Sequence, residues 1–230
     1  MFSAILFDLD GTLIDTESLW AAAVGRALEE RDCLLTAPQL VELVYGRAWR
    51  DIFADIRQRY PEAYDDYAVM TAVAQGHFHA LRQTRDIRIP GSIEVLIRLA
   101  AAYPVAIVSG SARRDIAREL DALALTAHVR FFLGCEDYTP GKPHPACYQL
   151  AAERLAVPPA NCLVFEDSTH GVRAAKAAGM TCVALRRPEQ PAQDYRDADF
   201  LVGDLRECLR DGILWLEGIA SREGEAPTEP

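Results

Sequence analysis

Two aspartates stand two residues apart near the start of the chain, in Phe7-Asp8-Leu9-Asp10-Gly11-Thr12. They follow directly on the apolar run Ala4-Ile5-Leu6-Phe7. A short apolar run ended by acidic residues and a glycine reads as a buried strand passing into a polar loop. Side chains at i and i+2 leave a strand on the same side. In a parallel α/β sheet, ligands bind just outside the carboxyl ends of the strands. A carboxylate pair placed there has two uses. It can hold a hard cation, or its members can divide the work of nucleophile and acid/base.

Three more short segments combine reactive side chains with loop-forming residues: Val108-Ser109-Gly110, Gly141-Lys142-Pro143 and Phe165-Glu166-Asp167-Ser168. The lysine is unusual for this chain. It has a large excess of arginine and only two lysines, Lys142 and Lys176. Keeping lysine at 142 points to a need for a compact ammonium rather than a planar fork. The prolines at 143 and 145 stiffen the loop that presents it. Lys176, in a helical stretch, is expected to face solvent.

These residues need a scaffold, and the patterning supplies one. Strand-like runs fall at 4–7, 105–108, 131–133, 162–165, 181–185 and 199–202. Helical stretches fall between them at 92–102, 113–124, 145–155 and 171–178. Such alternation implies βαβ units, a mostly parallel sheet and helices on both faces. Residues 16–86 break the alternation. They show helical periodicity at 19–28, 39–43, 49–60 and 67–81, and no convincing strand. The reading is an α/β core from 1–15 and 87–220 with an all-helical insertion, 16–86, after the first strand. The hinges fall at 13–16 and 86–91, the second marked as a loop by Pro90-Gly91. Residues 221–230 lack a core-forming pattern and read as a disordered tail.

Composition narrows the function. The chain has 230 residues, half of them hydrophobic, and a formal net charge of -10. That charge argues against nucleic acid or an anionic membrane as partner. There is no apolar stretch of membrane-spanning length, and an aspartate at position 8 does not suit a signal peptide. The six cysteines are scattered with no C-x-x-C pair, so a zinc site is not expected. Several sit in apolar runs and read as small core residues, and the chain reads as a cytoplasmic protein. Oligomeric state is not legible.

The ordered set Asp8-x-Asp10-Gly11-Thr12, Ser109-Gly110, Lys142 and Glu166-Asp167 resembles the four motifs of the haloacid dehalogenase-like hydrolase superfamily, over about residues 2–212. The resemblance implies a doubly wound, Rossmann-like core with a small helical cap. It implies Asp8 as a nucleophile that forms an aspartyl-phosphate, and Asp10 as the acid/base. It implies Mg²⁺ held by Asp8, Asp167 and the carbonyl of Asp10, with Glu166 ligating directly or through water. Ser109, Gly110 and Lys142 would then bind the phosphoryl group. The physical need is plain. A phosphate dianion meeting a carboxylate is repelled by about 4 kcal/mol per charge pair at 4 Å and an effective dielectric of 20. Positive charge must be brought to the site.

The cap sequence separates branches of the superfamily. It contains no lysine, which argues against the members that cleave carbon–phosphorus bonds. Asp10 favours phosphoryl transfer over halide displacement. Trp20 stands about where the β-phosphoglucomutase branch carries a histidine, and Thr12 is typical of phosphatases. The cap is expected to close over the site, with the segment 44–50 reading the leaving group through Arg47 or Arg50. His77 and His79 cannot share a helix face and read as surface or packing residues. The expectation is a Mg²⁺-dependent phosphatase of small phosphorylated metabolites, sugar or sugar-acid phosphates. The alternatives are a phosphohexomutase and a non-enzymatic binding protein on the same scaffold.

Overall fold

The computed structural model describes residues 2–45, 49–188, 190 and 192–216. Arg47 and the tail 221–230 lie outside the described residues. The chain forms two compact units, one of residues 1–14 and 89–230, the other of residues 15–88.

The first unit is built on a six-stranded parallel sheet in the order β3-β2-β1-β4-β5-β6. The strands are β1 (Ala4–Phe7), β2 (Val105–Val108), β3 (Phe131–Leu133), β4 (Cys162–Glu166), β5 (Thr181–Leu185) and β6 (Phe200–Val202). The chain starts at the centre of the sheet, builds outward to β3, and returns to the other side of β1 to lay down β4. The strand order therefore reverses at β1, and the crevice opened by such a reversal is where an open α/β sheet binds its ligand.

All four β1 residues are fully buried, as are those of β2. This follows from helices lying on both faces, so the strands read as continuous apolar runs rather than alternating ones. Ala4, Leu6, Ala106 and Val164 share one cluster with residues of α7 (Ala146–Leu155) and α8 (Thr169–Ala177). By alternation Ile5, Phe7 and Ile107 point to the opposite face, where Phe7 stacks on Phe165 with ring centroids 4.7 Å apart. Burying each large side chain of this kind contributes roughly 1.5–3 kcal/mol.

Two sequence expectations are corrected here, and one element was missed. Pro90-Gly91 is not loop. It opens α5 (Pro90–Ala100), because proline at a first helical position gives up an N–H that has no partner there anyway. A two-stranded hairpin, β7 (Leu209–Arg210) and β8 (Ile213–Leu214), was not anticipated. Asp211 and Gly212 turn it at positive φ. Lys176 does not simply face solvent. Its Nζ donates to both carboxylate oxygens of Asp199 at 2.7 Å and to the carbonyl of Met180 at 3.1 Å, tying α8 to the entry of β6.

The second unit consists of α1 (Thr16–Glu29), α2 (Ala37–Val44), α3 (Trp49–Arg59) and α4 (Tyr67–Thr84). Asp15 caps α1 and Asp66 caps α4, each accepting a main-chain N–H from the first turn. Val24, Leu28, Ile52, Ile56, Met70 and Ala74 form its core. The buried Tyr64 hydroxyl is satisfied by the carbonyl of Ala27 at 2.7 Å. His77 pairs with Glu30 at 2.9 Å.

Chain exit and return are close together in each unit. The N–H of Ile89 donates to the carbonyl of Leu13 at 2.9 Å, and the N–H of Asp15 donates to the carbonyl of Ile87 at 2.7 Å.

Candidate active site

Asp8 is the first residue past β1. Its N–H still continues the ladder, donating to the carbonyl of Phe165 at 3.0 Å, so the side chain leaves from a fixed backbone. The residue is 6 % exposed. One carboxylate oxygen, Oδ1, accepts from Lys142 Nζ at 2.7 Å. The other, Oδ2, is buried and has no hydrogen-bond partner.

Lys142 reaches the site from the loop before α7. Its ammonium has three donors and uses them on Asp8, on Glu166 Oε1 at 2.5 Å and on the carbonyl of Val108 at 3.1 Å. Val108 is the last residue of β2, so the lysine joins the ends of three strands, β1, β2 and β4. Three acceptors in different directions suit an ammonium and not a planar guanidinium. Burial alone would push the lysine pKa down. The charges of Asp8 and Glu166 outweigh it, and the net direction is well above the usual value.

Glu166 ends β4 and is fully buried. Its Oε1 accepts from Lys142 and from the Tyr148 hydroxyl at 2.9 Å. Its Oε2 accepts from the N–H groups of Asp167 and Ser168 at 3.0 and 3.2 Å and from the Ser168 hydroxyl at 3.1 Å. Burial opposes the charge, but Lys142 and these hydrogen bonds outweigh it, and the Glu166 pKa lies below the usual value. The carboxylate rests directly on Gly171, where a Cβ would overlap it. Direct metal ligation by Glu166 would require one of its oxygens to give up a donor it already holds.

Asp167 is 2 % exposed. Its Oδ2 accepts from Gln190 Nε2 at 2.7 Å, and Thr12 Oγ1 lies 3.5 Å from its Oδ1. It packs on Gly11, whose φ of +93° and lack of room for a Cβ both demand glycine. Oxygens of Asp8, Glu166 and Asp167 all lie within 4.8 Å of one another.

Asp10 sits across from this cluster. Its Oδ2 accepts from Ser109 Oγ at 2.8 Å and from Ser111 Oγ at 2.7 Å. Ser109 is fully buried, and its hydroxyl also accepts the N–H of Ser111 at 2.9 Å. Gly110, between them, is exposed, and a Cβ there would meet nothing within 4 Å.

The site thus gathers four carboxylates around one ammonium. For Asp8, burial pushes the carboxyl up and Lys142 pulls it down, while Glu166, Asp167 and Asp10 push it up again. The net direction is well above the usual range. Such a site is short of positive charge. Its donor set is all oxygen, the preference of hard divalent cations. A buried carboxylate oxygen without a donor costs about 1–3 kcal/mol or more unless something takes it. The unpartnered Asp8 Oδ2, on a residue of this cluster, fits a divalent metal.

The sequence-derived residues Asp8, Asp10, Ser109, Lys142, Glu166 and Asp167 are therefore brought together, with Gly110 at the rim. Arg50 is exposed in the first turn of α3, in the helical unit. Four contributors were missed. Tyr148 lies under the lysine, its ring centroid 5.2 Å from Nζ. Burial, then the charge of Glu166, pushes its phenol well above the usual range, so it remains a donor. Ser111, Gly171 and Gln190 are the others. Tyr148 falls six residues after Lys142, on the buried face of α7. That helical spacing was its signal, but it looked like any core aromatic.

A buried aspartate closing the central strand of a sheet wound this way, with a lysine and an acidic pair converging on it, marks a class of hydrolase that works on esters of phosphoric acid. The chain belongs to that class by sequence as well: the Haloacid dehalogenase-like hydrolase family matches residues 5–185. It is a phosphoric monoester hydrolase of this family. It is similar to the validoxylamine A 7'-phosphate phosphatase of Streptomyces hygroscopicus subsp. limoneus, 29 % identical over 90 % of this chain and 96 % of that one. It is similar to hexitol phosphatase A of Escherichia coli, 30 % identical over 80 % of this chain and 82 % of that one. Among solved structures it resembles a family hydrolase from Deinococcus radiodurans with bound phosphate and sodium. The TM-score is 0.76 and the identity 30 %, over 90 % of this chain and 93 % of that one. Among the described residues no helix is long and apolar enough to cross a membrane.

Proposed function

We propose that the protein is a Mg²⁺-dependent phosphatase of small phosphorylated metabolites, sugar or sugar-acid phosphates, working through an aspartyl-phosphate at Asp8. The observation that carries this reading is the Asp8 carboxylate: buried, one oxygen on the Lys142 ammonium, the other without a partner. The names of the relatives support the substrate class, since one is a validoxylamine A 7'-phosphate phosphatase and another a hexitol phosphatase.

Asp8 attacks phosphorus, and the bond to the leaving oxygen breaks. Asp10 gives that oxygen a proton. Asp10 then takes a proton from water, which attacks the phosphorus and releases phosphate and the free Asp8 carboxylate. Ser109 and Ser111 hold one Asp10 oxygen and so fix the direction of the carboxyl. Lys142 offsets the charge of the incoming phosphoryl group and orients Asp8. Glu166 anchors Lys142. Asp8, Asp167 and the carbonyl of Asp10 are the residues to hold Mg²⁺, which when bound neutralises phosphoryl charge. Arg47 and Arg50 are candidates for leaving-group contacts from the helical unit, which in this reading serves as the cap. The scattered, unpaired cysteines support a cytoplasmic location in this reading.

The test is phosphate release with Mg²⁺ across a panel of sugar phosphates, sugar-acid phosphates, phosphoglycolate and nucleotides, with Asp8→Asn alongside. Isomerisation of β-glucose-1-phosphate is scored in the same wells. Release from one compound class, lost in Asp8→Asn, is the expected result. Isomerisation without release would replace the phosphatase with a mutase, and neither activity would overturn the reading.

A further inference from the structure

The segment that follows β5 clasps the acidic motif at the end of β4. Tyr195 donates its hydroxyl to the main-chain carbonyl of Asp167 at 2.8 Å. Gln193 Oε1 accepts from the N–H and hydroxyl of Thr169 at 2.9 and 2.8 Å. That hydroxyl in turn accepts the N–H of Asp194 at 2.8 Å. These contacts fix the backbone of residues 167–169.

Gln190 does something different, because it reaches the carboxylate itself. Its Nε2 donates to Asp167 Oδ2 at 2.7 Å while its Oε1 accepts the N–H of Arg187 at 3.2 Å. An amide has a donor end and an acceptor end. With a main-chain N–H on one side, its NH₂ must face Asp167, so the side chain cannot flip without losing both bonds. Glutamate in its place would put two carboxylates face to face. Methionine would fill the same volume and donate nothing.

A carboxylate that ligates through one oxygen binds best when its other oxygen is held, because the ligand then needs no reordering on binding. We infer that Gln190 is a positioning residue for the metal centre. By holding Asp167 Oδ2 it fixes the direction of the carboxylate and so sets the affinity of the site for a divalent cation. The inference rests on the reading of Asp8 and Asp167 as metal ligands. Gln190 is half-buried and borders a cavity of about 560 Å³, lined also by Arg186, Arg187, Gln193 and Tyr195, so its replacement need not crowd a packed core.

The experiment is calorimetric titration of the full-length protein with Mg²⁺ and with Mn²⁺, for the parent, Gln190→Met, Gln190→Ala and Asp167→Asn. Thermal melts and metal-dependence of phosphate release accompany it. Both Gln190 variants should bind roughly 10–100-fold more weakly. Their melting points should stay close to the parent's, the metal concentration that half-saturates phosphate release should rise with the weaker binding, and Asp167→Asn should bind more weakly still. If Asp167→Asn loses affinity while a folded Gln190 variant keeps it, the inference is wrong. A lowered melting point with normal metal binding also overturns it, since that marks a structural role. If Asp167→Asn itself binds metal normally, it is the metal-site reading that fails.

Discussion

Glycine to alanine inside a helix ordinarily stabilises a protein by about 0.5–1 kcal/mol. The two glycines Gly76 and Gly171 should give opposite signs. Gly76 lies in the interior of α4, and a Cβ there meets nothing within 4 Å. Gly76→Ala should raise stability by about 0.5–1 kcal/mol. Gly171 is the third residue of α8, and its Cβ would overlap the Glu166 carboxylate. Glu166 cannot yield freely, since five donors hold it. Overpacking costs about 1–3 kcal/mol, and loss of one buried hydrogen bond to a charged group about 1.5–3. Set against the helix gain, Gly171→Ala should destabilise by about 2–4 kcal/mol. In a chain of this size that lowers the melting point by about 5–15 °C. Because Glu166 anchors Lys142, phosphate release should fall as well. Urea unfolding by circular dichroism gives the first quantity, and hydrolysis of a chromogenic aryl phosphate the second. A Gly171→Ala protein as stable as the Gly76→Ala one, and fully active, would refute the reasoning.

The remaining predictions concern charge and reactivity. Lys142→Met leaves Asp8 and Glu166 buried without their counter-charge, and should cost about 3–5 kcal/mol in urea unfolding as well as activity. Lys142→Arg should not restore activity, and an active arginine variant would contradict the three-acceptor geometry. Tyr148→Phe removes one donor from Glu166 and should lower stability by about 1.5–3 kcal/mol, again by urea unfolding. A neutral effect would mean that Lys142 satisfies Oε1 alone. Cys135 is exposed and the other five cysteines are buried, so native protein should show one thiol reactive to a disulfide reagent and denatured protein six. Burial, then the charge of Glu136, pushes the Cys135 thiol up. The thiolate is the reactive form, so its rate should keep climbing beyond the pH at which an ordinary free thiol levels off. A plateau at lower pH would contradict that placement.

The strands of the sheet were legible because each is a short apolar run with a sharp polar end. Asp8, Ser109 and Glu166 were legible because they sit at those ends. Ser109, Lys142 and Glu166 were placed near Asp8 by the resemblance to the family's four motifs, not by any order of the strands. What supports them was harder to read. Tyr148 and Gly171 act through surfaces that face inward, and periodicity marks a buried face without saying what it touches. Gln190 lies in an irregular segment, where no period relates sequence to direction. Pro90 was misread because the same residue that ends a helix can also begin one. The pairing of Lys176 with Asp199 spans two elements and depends on where β6 lies beside β5.

The hydrogen bond from Ile89 to Leu13 bridges the gap in the backbone of the α/β unit, and that from Asp15 to Ile87 joins the two ends of the helical unit. Closing a gap already bridged in this way adds little loop entropy, which grows only slowly with length. The two parts are thus joined as interchangeable pieces, through two neighbouring peptide junctions. A helical unit from a relative could be spliced in between residues 14 and 89 without altering a strand, and on the proposed reading of that unit as a cap the recombinant would keep one reaction while acquiring another choice of substrate. Diversification by exchange of a whole inserted unit, rather than by gradual change within it, is a route that this chain architecture leaves open.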